Sequence, residues 1–171
     1  TSNPGATGPD VASAVNLVLA QRLVRRVCSR CRQKYDPTPE ELAGAKVSAS
    51  TTLGSLRFTV EALENAKAKA QPDALEKLKN LSLDTTIGEL PFFKGRGCDE
   101  CAGTGMKGRQ GLYEVMYMTP TLRKSILQNA SGAEIRDAAI AGGMLTLRMD
   151  GWLKVLKGVV PLEQVIRETS A

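Results

Sequence analysis

Four cysteines stand in two matching pairs, Cys28-x-x-Cys31 and Cys98-x-x-Cys101. Thiolates are soft donors, and two intervening residues let both sulfurs of a pair reach one ion. Two such pairs supply the four-sulfur set that tetrahedral zinc prefers. The chain has no histidine, so Ser/His/Asp and Cys/His catalysis are excluded, as is every mixed Cys/His zinc site. Two disulfides would suit an exported protein, but no charged segment followed by an apolar stretch opens the chain. A bridge within Cys-x-x-Cys is also strained. A thioredoxin-like site would use one pair after a strand and leave the second unexplained, and iron–sulfur runs pack cysteines more tightly. The expectation is one structural zinc per chain on Cys28, Cys31, Cys98 and Cys101.

The flanks suit that chemistry. Arg25, Arg26, Arg30, Arg32 and Lys34 surround the first pair, and Lys94, Arg96, Lys107 and Arg109 the second. Zinc with four thiolates carries a net charge of −2, so nearby cations lower the thiol pKa values and favour the bound form. The same residues also read simply as a solvated basic face. Gly95, Gly97, Gly103, Gly105 and Gly108 permit the tight turns that aim N–H groups at sulfur.

These pairs need elements to hold them. The 171 residues are 42% hydrophobic and 24% charged, with a net charge of +5. That composition describes one globular domain, or two small ones sharing a core. With seven aromatics, the core must come mainly from Leu, Val, Ile, Ala and Met. Residues 1–10 (TSNPGATGPD) read as a disordered tail or linker. Val11, Val15, Val18, Leu19, Leu23 and Val27 recur at three- and four-residue spacing and predict a helix over 11–27, core-facing rather than membrane-surface. Thr38-Pro39-Glu40-Glu41 marks a helix start. Residues 28–110 form the zinc-binding subdomain, with a helical insertion at about 44–90 between the pairs. Glu64/Lys67 and Asp73/Lys77 stand at helical spacing, and Pro72 ends one helix and opens another. Its apolar content is thin, which predicts a surface excursion. After the second pair, 111–118 (GLYEVMYM) reads as a strand. Four short helices follow over the rest of 111–171: one capped by Thr119, one opened by the Ser131/Glu134 capping box, one after Thr146 carrying Trp152 in the core, and one from Pro161. The fold class expected is mainly α with a small β/zinc-knuckle element and a terminal helical bundle.

No GxxxxGK[ST] run is present, so this chain has no phosphate-cradling loop. No paired carboxylates suggest general acid–base work, and no catalytic or cofactor-binding residue is assigned. No stretch of 18 apolar residues calls for a membrane span.

Residues 16–31 (NLVLAQRLVRRVCSRC) resemble the AQRLVR-x-(I/L/V)-C-x-x-C segment of the type II secretion and type IV pilus assembly ATPases. Residues 97–114 (GCDECAGTGMKGRQGLYE) resemble their GC-x-x-C-x-x-TGY-x-GR-x-G-(I/L)-YE segment. Ala133-Glu134-Ile135-Arg136, Gly143-Met144, Thr146-Leu147-Arg148 and Gly151 with Lys154-Val155 fit the helical C-terminus of that family. Met106 replaces its usual aromatic, and the 66 residues between Cys31 and Cys98 exceed the family's usual spacer. The resemblance implies the C-terminal portion of a RecA-like α/β motor, with residues 11–27 as the motor's last helix. It implies a cytoplasmic homo-hexamer, peripheral at the inner membrane through a platform protein, that uses ATP and Mg held elsewhere in the parent chain. The fragment would then be structural rather than an enzyme. Two other readings stand beside it. Cys98 to Gly105 (CDECAGTG) fits the CxxCxGxG knuckle of client-binding J-domain cochaperones, although Cys28 to Tyr35 lacks the glycines. A zinc-ribbon nucleic-acid binder would suit the basic charge, but few aromatics interleave for base stacking.

Overall fold

The apolar residues of 11–27 fit two periods, and the strand period prevails. In the computed structural model, which describes residues 8–169, helix α1 (Gly8–Ala14) gives way to strand β1 (Leu17–Val27). This corrects the helix expected over 11–27. The unbroken run Leu17-Val18-Leu19-Ala20 hides the alternation that would have marked a strand. Further along, Val18, Val24 and Val27 are β-branched, and Val24 and Val27 are buried, which favours a pleated neighbour over a helical turn. That neighbour is β4 (Met106–Tyr117), paired with β1 in a two-stranded sheet. β4 begins five residues before the expected strand. α1 also claims Gly8, Pro9 and Asp10 from the expected tail; residues 1–7 of that tail lie outside the described residues.

The remaining elements are β2 (Arg32–Tyr35), α2 (Pro39–Gly44), α3 (Val60–Ala68), α4 (Pro72–Leu78), β3 (Phe92–Gly95), α5 (Pro120–Leu127), α6 (Gly132–Ala141), α7 (Leu147–Leu156) and α8 (Leu162–Thr169). Short 3-10 turns lie at Gly54–Leu56, Ile87–Glu89 and Asp99–Cys101. Helix outweighs strand, as expected. The chain divides into two compact units, Thr1–Ala20 with Tyr113–Thr146, and Gln21–Leu112 with Leu147–Ala171. The last four helices therefore do not make one bundle: α5 and α6 belong to the first unit, α7 and α8 to the second.

In the first unit, Met118, Leu122, Ala139 and Met144 form the core, with Met116, Ile126 and Ile135 packed against it. The Thr119 hydroxyl accepts from the Leu122 N–H, with Pro120 opening α5. Ser131 and Glu134 close the capping box of α6. Each such cap satisfies backbone donors that a helix start leaves bare, and removing one costs about 1 kcal/mol. Arg123 of α5 donates to the Ala12 carbonyl of α1.

In the second unit, β2 and β3 pair antiparallel, Arg32 opposite Gly95 and Tyr35 opposite Phe92. The Phe92 ring meets Tyr35 and the buried Trp152 of α7 edge-on, both at 6.2 Å between centroids. α7 and α8 approach closely at Gly151, where a Cβ would stand 2.6 Å from Val165 Cγ1. The expected surface excursion is instead part of this core. Leu53, Phe58, Leu63, Ala66, Ala74, Leu78, Ile87 and Leu90 are all buried, and Thr52 bridges to Thr86. Its apolar residues are few, but small Ala faces on α3 and α4 let the helices pack closely, so little hydrophobic bulk is needed.

Candidate metal centre

Cys28 follows the last residue of β1 and Cys31 precedes the first of β2. Cys98 caps the 3-10 turn between β3 and β4, and Cys101 is that turn's last residue. The two pairs, separated by the whole insertion in sequence, converge in the second unit. Their sulfurs all lie within 4.8 Å of one another. Cys28 to Cys98 and Cys31 to Cys101 are each 3.8 Å, and Cys98 to Cys101 is 3.7 Å. These are not disulfides, whose sulfurs stand about 2.05 Å apart; all four cysteines are free. A tetrahedron of sulfurs around zinc, with Zn–S about 2.3 Å, has edges of about 3.8 Å. The donor set and its spacing therefore fit a four-coordinate soft cation, and the cluster could hold a metal ion. Cys28, Cys31 and Cys101 are buried; Cys98 is partly open to solvent.

Backbone geometry creates this arrangement. Where β3 ends and β4 begins, the chain crosses itself so closely that a Cβ on Gly95 would lie 2.1 Å from the Gly105 carbonyl oxygen. Gly105 itself has φ +70°. Only glycine fits there. The crossing directs the Gly105 N–H onto Cys101 Sγ at 3.2 Å, and the Cys98 N–H reaches the same sulfur at 3.2 Å. The Cys28 N–H donates to the Gly105 carbonyl, tying the first knuckle to the second.

Burial would raise the Cys101 thiol, but the N–H groups of Cys98 and Gly105 and the thiols of Cys98 and Cys31 draw it down to about 6. Burial pushes Cys31 the other way, to about 11, opposed by its contact with the Gly97 backbone and helped by the neighbouring thiols. Without a metal the cluster thus divides its protons unevenly: Cys101 surrenders one readily while Cys31 keeps its own.

Lys107 is held charged by Glu100 and in part by the Cys28 and Cys98 thiolates, as expected of a flanking cation, while the hydrogen bonds of these cations run elsewhere. Among the described residues, the donors that reach sulfur from outside the cysteine side chains are backbone N–H groups. Arg30 and Lys107 instead share Glu100, at 3.2 and 3.0 Å. That pairing holds the Glu100 carboxyl below, and the Lys107 ammonium above, their usual ranges. Arg25 donates to the Met106 carbonyl, and Lys94 lies over the Tyr35 ring. Arg32, next to Cys31, turns inward. Its guanidinium stacks 3.8 Å from the Phe93 ring centroid and pairs with Asp73 of α4. Gly158 makes room for it, since a Cβ there would stand 2.4 Å from Arg32 Nη2. Sequence reasoning missed this contact, because nothing in the local pattern joins positions 41 residues apart. It also missed Gln164, a buried side chain of α8 whose Oε1 accepts from the Arg25 N–H of β1 at 3.0 Å.

The first unit holds an apolar cleft of about 210 Å³ lined by Val18, Ala20, Met116, Ile135 and Met144, with Glu114 and Arg136. Its lining offers no cluster for chemistry comparable to the four thiols. Among the described residues, no helix is long and apolar enough to cross a membrane.

Known proteins resemble this chain in sequence. Residues 3–167 match the family model described as type II/IV secretion system protein. The chain is 32% identical over 160 residues to the type IV pilus assembly ATPase PilB of Thermus thermophilus, covering 94% of this chain and 14% of that protein. It is 35% identical over 168 residues to PilB of Acinetobacter baylyi, covering 98% and 23%. With the type II secretion system protein E of Dickeya dadantii the figures are 30% over 153 residues, 89% and 22%. The chain thus spans less than a quarter of the length of these curated relatives. With the match running nearly end to end, this chain belongs to the type II/IV secretion system protein family, and its relatives include type IV pilus assembly ATPases and type II secretion system proteins.

Proposed function

We propose that this chain is the C-terminal zinc-binding region of a hexameric ATPase that powers type IV pilus assembly or type II protein secretion. Its own part is structural: Cys28, Cys31, Cys98 and Cys101 hold one zinc, and that ion locks the end of β1 to the start of β4. The observation that carries this reading is the gathering of four free sulfurs within 4.8 Å of one another, in a chain without histidine or phosphate-binding loop. When bound, zinc supplies cross-linking rather than reactivity, since four thiolates leave no open position for a substrate.

ATP and Mg belong, on this reading, to the rest of a parent chain of the relatives' length. β1 supports that division. Leu17, Val18 and Leu19 are 47%, 46% and 53% exposed, so consecutive residues show apolar side chains on both faces of one strand. Strands of that kind are normally covered on both sides. On this reading the cover is the RecA-like sheet and helices of the parent motor, and the parent works in the cytoplasm, at the inner membrane through a platform protein. Nothing in the site suggests a specific nucleic-acid ligand or membrane insertion.

The test is Cys98→Ser in the full-length parent. Zinc should be lost and nucleotide binding largely kept, while assembly-coupled turnover and pilus or secretion output fall. A variant that loses zinc yet supports normal output would show that the centre is only a local folding staple.

A further inference from the structure

Arg30 occupies the middle of the first cysteine pair and Glu100 the middle of the second, and the two side chains meet at 3.2 Å. The ion pair therefore spans the same gap that a metal would close from within. Lys107 adds a third anchor, holding the other Glu100 oxygen at 3.0 Å. It stands on β4 two residues after Gly105, whose N–H serves Cys101 Sγ. The three charged groups thus come from the three segments that supply the sulfur donors and their backbone support. They lie at the solvent edge of the cluster, where Cys98 is the cysteine that solvent partly reaches.

We infer that Glu100 is a positioning residue for the metal, clasping Arg30 and Lys107 so that the two knuckles stay in register and zinc leaves slowly. The inference rests on the zinc reading above. It concerns rate rather than ligation, because the carboxylate's oxygens are occupied by the two cations. For the metal to escape, the knuckles must part, and parting them breaks the Arg30–Glu100 pair as well as zinc–sulfur bonds.

Simple electrostatics predicts the opposite sign for one variant, which makes the idea testable. A zinc–tetrathiolate centre carries −2, so removing the Glu100 charge by Glu100→Gln should relieve repulsion and retain zinc longer. The clasp predicts faster loss instead. The experiment loads the reduced chain with zinc alone, confirms one zinc per chain, and follows release into an excess of a chromogenic chelator. Glu100→Gln should release zinc about three- to tenfold faster than the unmodified chain, the range expected for a small exposed ion-pair network. Arg30→Gln should also release it faster, and the double variant no faster than Glu100→Gln, since both changes cut the same link. Far-UV circular dichroism of the loaded chains should be unchanged.

Slower or equal release from Glu100→Gln overturns the clasp, as does full additivity in the double variant. A reduced chain that takes up no zinc overturns the metal reading and the clasp together, whereas bound zinc with an unaltered release rate removes the clasp alone.

Discussion

A thiol that must lose its proton before it binds a metal makes the binding a function of pH. Cys31, held up to about 11 by burial, is protonated at neutral pH in the metal-free chain, so zinc must displace that proton. Cys101, drawn down to about 6 by backbone N–H donors that outweigh its burial, is largely ionised already. Apparent zinc affinity should therefore rise with pH, by at least about tenfold per unit between pH 6 and 8 from the Cys31 proton alone. The Cys101 share should level off above about pH 6. Competition against a chelator of known affinity at pH 6, 7 and 8 measures this slope. A flat profile would mean that Cys31 does not ligate as a thiolate. The convergence of the four cysteines was legible from type and spacing alone. The sharing of Glu100 by the cations, and the role of backbone N–H groups at sulfur, were not, because both depend on how the Gly95–Gly105 crossing orients the chain.

At the scale of elements, helix starts were the most legible feature. Thr38, Thr119 and Ser131 each cap the helix that their sequence announces, since a cap is a contact within four residues. β1 was misread because an unbroken apolar run carries no period and its partner β4 lies some 80 residues on. The insertion was undervalued for the same reason: its burial depends on α7 and on Arg32, which its own sequence does not reveal. The Arg32–Asp73 pair gives that docking a test. Arg32 is 9% exposed and Asp73 50%, so solvent screens one side and the pair is weaker than a fully buried one. Asp73→Asn should cost about 1–2 kcal/mol, chiefly by leaving the Arg32 charge poorly compensated. Denaturant unfolding of the zinc-loaded chain measures it. No change in midpoint would show that Phe93 stacking alone keeps Arg32 in place.

At the scale of the whole molecule, β1 carries much of the exposed apolar surface, although Val60, Tyr117 and Leu127 are exposed as well. Each unit has its own buried core, yet Leu17, Val18 and Leu19 leave apolar surface on both faces of a strand. Such surface is in keeping with the family match, in which this chain covers less than a quarter of each relative's length. On the proposed function, what this chain supplies to a larger motor is a fixed junction, and that junction depends on one ion held by four sulfurs. Zinc K-edge X-ray absorption on the chain, purified under reducing conditions, tests that claim most directly. The account predicts one zinc per chain with a single shell of four sulfurs at about 2.3 Å. Substoichiometric zinc, or a shell in which oxygen or nitrogen replaces any of the four sulfurs, would contradict it.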